Sequence, residues 1–246
     1  VNAGVYLIFR LSPVFLNTWL AKVVTVIGAF TFAAAALMAI SQTNAKRILA
    51  YSTISNLGLI IALSPLSHIY AIYAAGLLII LHGVSKGLLF LCVGAIEQQI
   101  GSRDIEDMDG IRTIMPVTAT LAVLGATSML LVPFGALIAK WIGIEVSAQN
   151  PVAMLLIIFG SAFTVIFWSK FLAKLLSTSK QKQSAEKFNF LLHGPLMAIA
   201  GLATILSAFL VEFNNYFLAP YIKTAYARFP TIGHMEVGNF YVKDFF

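Results

Sequence analysis

Long stretches without a charged residue constrain this chain more than any other feature of its sequence. Six of them approach or exceed the length of a membrane-crossing helix, at residues 23–45, 48–63, 69–85, 113–139, 146–169 and 188–211. A helix needs about 20 largely apolar residues to cross roughly 30 Å of hydrocarbon. We therefore expect an all-α, polytopic membrane bundle of about six full transmembrane helices, preceded by a partial one at residues 1–9.

The composition favours lipid as the main solvent. Hydrophobic residues make up 59% of the chain and charged residues 11%, whereas soluble domains carry about 25% charged residues. The net charge of +6 would suit an anionic partner, but the basic residues form no single patch. This argues against a nucleic-acid partner. The lipid bilayer is the expected partner, because Lys and Arg near span ends fix the orientation of membrane proteins.

The chain divides into a transmembrane bundle over residues 1–218 and a C-terminal tail over residues 219–246. Its first residues, VNAG, contain no Met, no basic segment and no cleavage site of a signal peptide. We expect the chain to be part of a longer protein.

Lys86 lies where a charge is least expected. It follows the charge-free residues 69–85 and precedes another apolar run, so it falls near the middle of a long helix. A lysine at this depth is costly unless it faces protein or a hydrated cavity, which makes a functional role the default. His82, four residues earlier, lies on the same helical face, with Ser85 nearby. We expect His82 and Lys86 to form a proton relay; a structural lysine bonded to carbonyls is the alternative.

Lys140 ends the stretch 113–139, which is longer than one straight crossing needs. Pro133 removes a helix hydrogen bond and Gly135 permits unusual dihedral angles, so we expect a helix broken near Pro133. Such breaks occur in membranes where the backbone lines a cavity. Lys140 is then a second relay group, with Glu145 beyond it as a supporting residue. The alternative is a lysine at the lipid–water interface.

Polar residues in other spans are candidates for supporting roles. Tyr51, Ser52 and Ser55 form a polar cluster inside an otherwise apolar segment. They either support proton transfer or only pack helices together, as small hydroxyls often do in membranes. Glu97 is either an exit carboxylate or a plain interfacial residue.

No motif in the sequence indicates chemistry of another kind. There is no glycine-rich phosphate loop, no HExxH and no CxxCH, and Cys92 is the single cysteine. We expect no catalytic residue, no metal site and no cofactor, so that any redox centre belongs to other subunits.

Several motifs resemble one family of membrane subunits. Residues 44–58, NAKRILAYSTISNLG, resemble the most characteristic motif of the antiporter-like subunits shared by respiratory complex I, Mrp antiporters and energy-converting membrane-bound hydrogenases. Residues 82–90 resemble the H-x3-K-x-x-L-F helix of that family, and residues 133–140 resemble its broken helix ending in a lysine. The resemblance covers about residues 1–145. It implies a fold of two inverted repeats, of which this chain is the second, in a prokaryotic cell membrane.

The resemblance also implies a function. By it, the chain translocates protons, or sodium ions, as part of a redox-driven pump of the hydrogenase or NADH–quinone oxidoreductase type, with other membrane and redox subunits as partners. Lys86 is then the central relay group and Lys140 the exit-side group. One alternative is a stand-alone cation/proton antiporter of the Mrp type. Another is a structural anchor, which would tolerate neutral residues at both lysines.

Three positions depart from the family pattern. The family usually has Asp where Asn44 stands, Gly where Asp109 stands and Ser where Ala139 stands. The last two changes resemble the hydrogenase branch. The change at Ala139 removes a hydroxyl beside Lys140, which leaves the route near that lysine open.

Overall fold

The structure is a computed structural model that describes residues 2–130, 135–177, 186 and 189–226. Its α-helices are α1 (Asn2–Phe15), α2 (Trp19–Ile40), α3 (Ala45–Leu63), α4 (Ile69–Ile100), α5 (Ile111–Ile114), α6 (Pro116–Leu130), α7 (Gly135–Val146), α8 (Pro151–Leu176), α9 (Phe190–Ala208), α10 (Leu210–Phe213) and α11 (Ala219–Tyr226). The structure also has two short 3-10 helices, at Glu106–Met108 and Ser147–Gln149, and a π-helix at Asn214–Leu218.

The predicted all-α membrane bundle is confirmed. Four helices, α2, α4, α8 and α9, are long and apolar enough to cross a bilayer, and α6 is a shorter apolar helix. The stretch 113–139 falls on separate helices, since α6 ends at Leu130 and α7 begins at Gly135. Pro133 itself lies outside the described residues, as does most of the predicted tail. The helix α4 has 32 residues, which corresponds to about 48 Å.

The helix boundaries follow from local chemistry. The Asn44 side chain accepts a hydrogen bond from the backbone N–H of Arg47 at 3.2 Å and so caps the start of α3. Asn here caps the helix as an acidic residue would. Asn150 caps α8 in the same way, with Pro151 at the first helical position. At the other end of α4, Gly101 adopts a left-handed conformation with φ of 75° and ends the helix.

Small residues bring α2 and α3 into backbone contact. A Cβ atom on Gly58 would lie 2.7 Å from the Phe32 backbone nitrogen and 2.9 Å from the Gly28 carbonyl oxygen. The Ser55 hydroxyl donates to the Phe32 carbonyl at 2.9 Å across the same interface. Without a hydrophobic drive between helices in lipid, close packing and such hydrogen bonds hold a bundle together.

Ion pairs stabilise the end of the bundle where α4 ends and α6 begins. The pKa of the Asp109 carboxyl is lowered by the hydrogen bond from Ser177 and by Lys174 beside it. Glu186 accepts hydrogen bonds from the backbone N–H groups of Val117 and Thr118 at the start of α6, where the helix dipole favours negative charge.

The side chains of Thr118 and His193 complete the environment of Glu186. His193 on α9 lies 2.7 Å from the carboxylate, and both side chains of this pair are buried. Burial alone would raise the pKa of Glu186, but the hydrogen bonds from Thr118 and His193 outweigh it and lower that pKa. Glu186 therefore ties the segment that leads into α9 to α6.

Replacing Gly58 by Ala should destabilise the bundle, because the added methyl group meets backbone atoms that cannot move independently. Overpacking of this kind costs about 1–3 kcal/mol. The measurement is the thermal unfolding midpoint in detergent. Gly94→Ala on α4 is the matched control, because its Cβ would meet nothing within 4 Å. Equal midpoints for the two variants would contradict the close α2–α3 contact.

Replacing Glu186 by Gln should lower stability by about 1.5–3 kcal/mol at neutral pH, the value of hydrogen bonds to a charged group. The carboxyl pKa is lowered in the folded state, so its contribution is present above the unfolded value of about 4.3 and is lost as the pH falls through the folded value. The difference in unfolding midpoint between wild type and variant should therefore shrink in acid. Glu212→Gln, at an exposed position, is the matched control and should leave the unfolding midpoint at neutral pH unchanged.

Candidate functional site: a polar layer between two apolar clusters

Polar residues form a layer across the bundle, between two clusters of buried hydrophobic residues. The first cluster contains α4 up to Leu81 and α3 from Leu57 onwards. The second cluster contains α3 up to Leu49 and α4 from Leu88 onwards. Between these limits the buried side chains are polar, and we call them the polar layer: Ser52, Ser55, Asn56, His82, Ser85 and Lys86, with Thr164 at the same level of α8.

Lys86 is buried in this layer, at 5% exposure. Its ammonium group donates to the hydroxyl of Ser52 and, at 3.3 Å, to the carbonyl oxygen of Leu49. It also lies 4.8 Å from the centroid of the Trp168 ring on α8. Within the described part of the chain, no carboxylate forms an ion pair with it. Of the residues that the structure describes, neutral groups and the face of an aromatic ring therefore stabilise this buried cation.

Lys140 is equally buried, at 3% exposure, and its ammonium group donates to the Thr164 hydroxyl at 3.3 Å. Thr164 lies in the middle of the 26-residue helix α8. The Lys140 side chain therefore points into the bundle rather than to the lipid–water interface. Thr164 also supplies, from another helix, a hydroxyl like the one that Ala139 lacks.

Helix α8 contacts both lysines. Thr164 and Trp168 are four residues apart and so lie on one face, about one helical turn from each other. The first contacts Lys140 and the second contacts Lys86. The two ammonium groups are close enough to repel each other. The site is thus built from α3, α4, α7 and α8.

His82 lies one turn from Lys86 on α4 and is 1% exposed. It interacts electrostatically with both lysines. Neither ring nitrogen has a hydrogen-bond partner among the described residues. A buried imidazole without partners is unusual, because burial of an unsatisfied polar group costs about 1–3 kcal/mol.

The remaining predicted residues lie in different places. Of the polar cluster on α3, Ser52 contacts Lys86, Ser55 joins α3 to α2 and Tyr51 packs against an apolar cluster. Glu97 is not beside the two buried lysines: it forms ion pairs with Lys46 and Arg103. Glu145 is exposed on α7 and interacts electrostatically with His68.

Sequence reasoning missed the residues that α8 and α6 contribute. Trp168 and Thr164 lie in the last hundred residues, where the sequence resemblance is only general. Ser128 on α6 hydrogen-bonds Ser85 at 2.7 Å. Trp168 lies near the end of the charge-free stretch 146–169, two residues before Lys170. Trp is common at the ends of membrane helices, so no signal in the sequence distinguished it. In the described ranges, no three His, Cys, Asp or Glu side chains are arranged to hold a metal ion.

Comparison with known proteins identifies sequence relatives among the subunits A and A1 of bacterial Na(+)/H(+) antiporters. One Na(+)/H(+) antiporter protein from Bacillus subtilis (strain 168) is 33% identical over 213 residues, which cover 76% of this chain and 26% of the relative. Its counterpart from Staphylococcus aureus (strain MRSA252) is 33% identical over 238 residues, covering 85% of this chain and 30% of the relative. The chain thus spans less than a third of the length of these curated relatives.

Three solved complexes contain chains with the same fold. The archaeal membrane-bound sulfane sulfur reductase matches with a TM-score of 0.77 at 23% identity, covering 86% of this chain and 44% of that one. A chain of the Mrp complex from Dietzia sp. DQ12-45-1b matches with a TM-score of 0.68 at 20% identity, and the match covers 92% of this chain and 53% of that one. A chain of respiratory complex I from Thermus thermophilus matches with a TM-score of 0.73 at 18% identity, and the match covers 87% of this chain and 45% of that one.

The family comparison gives the most direct result. The model of the family described as NADH:quinone oxidoreductase/Mrp antiporter, TM matches residues 1–166. This range holds both lysines, His82 and Thr164. The chain is an integral membrane protein that belongs to the NADH:quinone oxidoreductase/Mrp antiporter transmembrane family.

Proposed function

We propose that this chain carries part of the ion pathway of a membrane transporter, with Lys86, His82 and Lys140 as proton relays. The observation that carries the proposal is the burial of two amino groups at the polar layer, Lys86 within it and Lys140 against its Thr164, with neutral partners only among the described residues. A lysine whose purpose was structural would gain more from a carboxylate partner. A lysine that must take up and release a proton is better served by hydroxyls and carbonyls, which stabilise the ammonium group without fixing it.

The arrangement supports stepwise proton transfer between the two lysines. The imidazole of His82 can accept a proton at one ring nitrogen and release one from the other. Its ring nitrogens are unpartnered and buried, and among the described residues the same holds for Asn56 Oδ1 and Ser161 Oγ. Buried polar atoms of this kind usually bind water, which would complete a path of hydrogen bonds between Lys86 and Lys140.

Charge repulsion between the two lysines couples their protonation. The two ammonium groups repel each other across an interior of low polarity. A proton that arrives on one lysine therefore raises the free energy of a proton on the other. In this scheme, loading of either lysine favours release of a proton from the other, and Ser52 and Thr164 hold the two amino groups during the exchange.

Two settings remain for this pathway. In the first, predicted from the motifs, the chain is a proton- or sodium-translocating subunit of a redox-driven pump with redox subunits as partners. In the second, it belongs to an Mrp-type cation/proton antiporter. The 33% identity to Na(+)/H(+) antiporter subunits of two bacteria supports the second setting. The solved structures do not separate the two settings, because the matched chain of the Mrp complex is 20% identical and those of the two redox complexes are 23% and 18% identical. In both, other membrane subunits are the expected partners.

Replacing Lys86 by Met in the full-length protein, assembled with its partner subunits, should abolish most transport, because Met fills the space but binds no proton. The measurement is proton movement in everted vesicles, followed with a pH-sensitive dye. Lys86→Arg should fail as well, since arginine does not release its proton. Lys22→Met, at an exposed position on α2, should transport normally. Undiminished transport by Lys86→Met in a correctly assembled complex would refute the relay.

The setting can be tested with the same vesicles. For an antiporter, added NaCl should dissipate a preformed pH gradient without any electron donor, because exchange needs only the two ion gradients. For a redox-driven pump, proton uptake should start only when a donor is added and should stop with an inhibitor of electron transfer. Exchange in vesicles that lack every redox subunit would exclude the pump setting.

A further inference from the structure

The environment of Lys86 contains a contact that neither the motifs nor the relay scheme uses. Trp168 has no exposed surface, and its ring lies 4.8 Å from the lysine nitrogen. The other two tryptophans, Trp19 and Trp141, are 77% and 63% exposed. Tryptophans in membrane proteins usually lie at the interface, where the ring is half in lipid and the N–H bonds to water. A fully buried tryptophan beside a buried lysine calls for a different explanation.

The indole is held by its ring and not by its N–H group. Phe167 and Phe171 pack against it with centroid distances of 5.2 and 5.7 Å, the second edge-on. Its Nε1 has no hydrogen-bond partner in the described ranges. Two neighbours on the same helix therefore fix the orientation of the ring. What the ring offers to Lys86 is its negative face, which attracts a cation within about 6 Å.

We propose that Trp168 is the positioning residue for Lys86. Its indole face holds the charged amino group against Ser52 and Leu49, and this attraction ends when the amino group loses its proton. This inference rests on the proposed function. The attraction of the ring applies to the ammonium form only, because a neutral amine carries no net charge for the ring quadrupole to attract. The contact thus distinguishes the loaded lysine from the unloaded one without a carboxylate.

The position of Trp168 on α8 gives this contact a second consequence. Thr164, one turn away on the same face, donates to the Ser161 carbonyl and accepts from Lys140. The groups that hold the two lysines are thus parts of one helix. When an unloaded Lys86 leaves the Trp168 ring, α8 loses one of the two contacts that join it to the lysines and keeps the contact of Thr164 with Lys140.

The test uses two substitutions at one position in the assembled full-length protein. Trp168→Phe keeps an aromatic face, whereas Trp168→Leu keeps an apolar side chain without one. We expect Trp168→Leu to slow transport about 2- to 30-fold, the range that cation–π energies imply, and Trp168→Phe to restore most of that loss. Equal rates for the two variants, or a normal rate for Trp168→Leu, would overturn the inference. Lys86→Met fails independently of this result, so the relay and the positioning role are judged separately.

A spectroscopic measurement tests the contact without transport. In the assembled full-length protein, the emission of Trp168 is obtained as the difference between the spectra recorded without and with the Trp168→Phe substitution, and the charge of a nearby lysine shifts its fluorescence emission maximum. Lys86→Met should shift that maximum, whereas Lys170→Met, on the same helix but bonded to the carbonyls of Ile40 and Gln42, should leave it unchanged. The same emission maximum with and without Lys86→Met would overturn the inference, even if both Trp168 variants lost activity through misfolding.

Discussion

The burial of two ammonium groups without a carboxylate partner among the described residues is the constraint to which the rest of this structure adapts. A charge in a dry interior costs several kcal/mol even after relaxation. The surrounding residues offset this cost with weak, neutral contacts: the Ser52 hydroxyl, the Leu49 carbonyl and the Trp168 ring for Lys86, and the Thr164 hydroxyl for Lys140. Each contact stabilises the cation moderately, so the neutral amine remains accessible.

The same constraint explains why the apolar interior is divided in two. Had the two hydrophobic clusters joined, Lys86 and Lys140 would have been surrounded by alkyl groups. Instead, the hydroxyl and amide side chains of the polar layer lie at the same depth on α3, α4 and α8, with one hydrophobic cluster on each side of them. The close contact of α2 with α3 through Gly28 and Gly58 then supplies stability from packing, which the polar layer does not.

The sequence predicted the helices and the lysines because both depend on local composition. Charge-free runs give the spans directly, and a lysine in their middle stands out against them. Thr164 and Trp168 were not predictable in this way. A threonine or a tryptophan in an apolar helix is ordinary, and its importance depends on which lysine it meets across the bundle. Glu97 illustrates the same limit: its position at the end of the lysine helix allowed either an exit carboxylate or a plain interfacial residue, and its partners Lys46 and Arg103 became known only from the fold.

The Asn44 and Ala139 departures show how tertiary structure replaces a missing group. Asn44 still caps α3, since its amide oxygen accepts the same backbone hydrogen bond that a carboxylate would accept. The hydroxyl missing at Ala139 is supplied by Thr164 from α8. That replacement changes which helix carries the hydroxyl. A serine next to Lys140 would belong to α7, whereas Thr164 belongs to α8, the helix that also contacts Lys86 through Trp168. In this chain the two lysines therefore have partners on one helix, so a displacement of α8 would change the contacts of both.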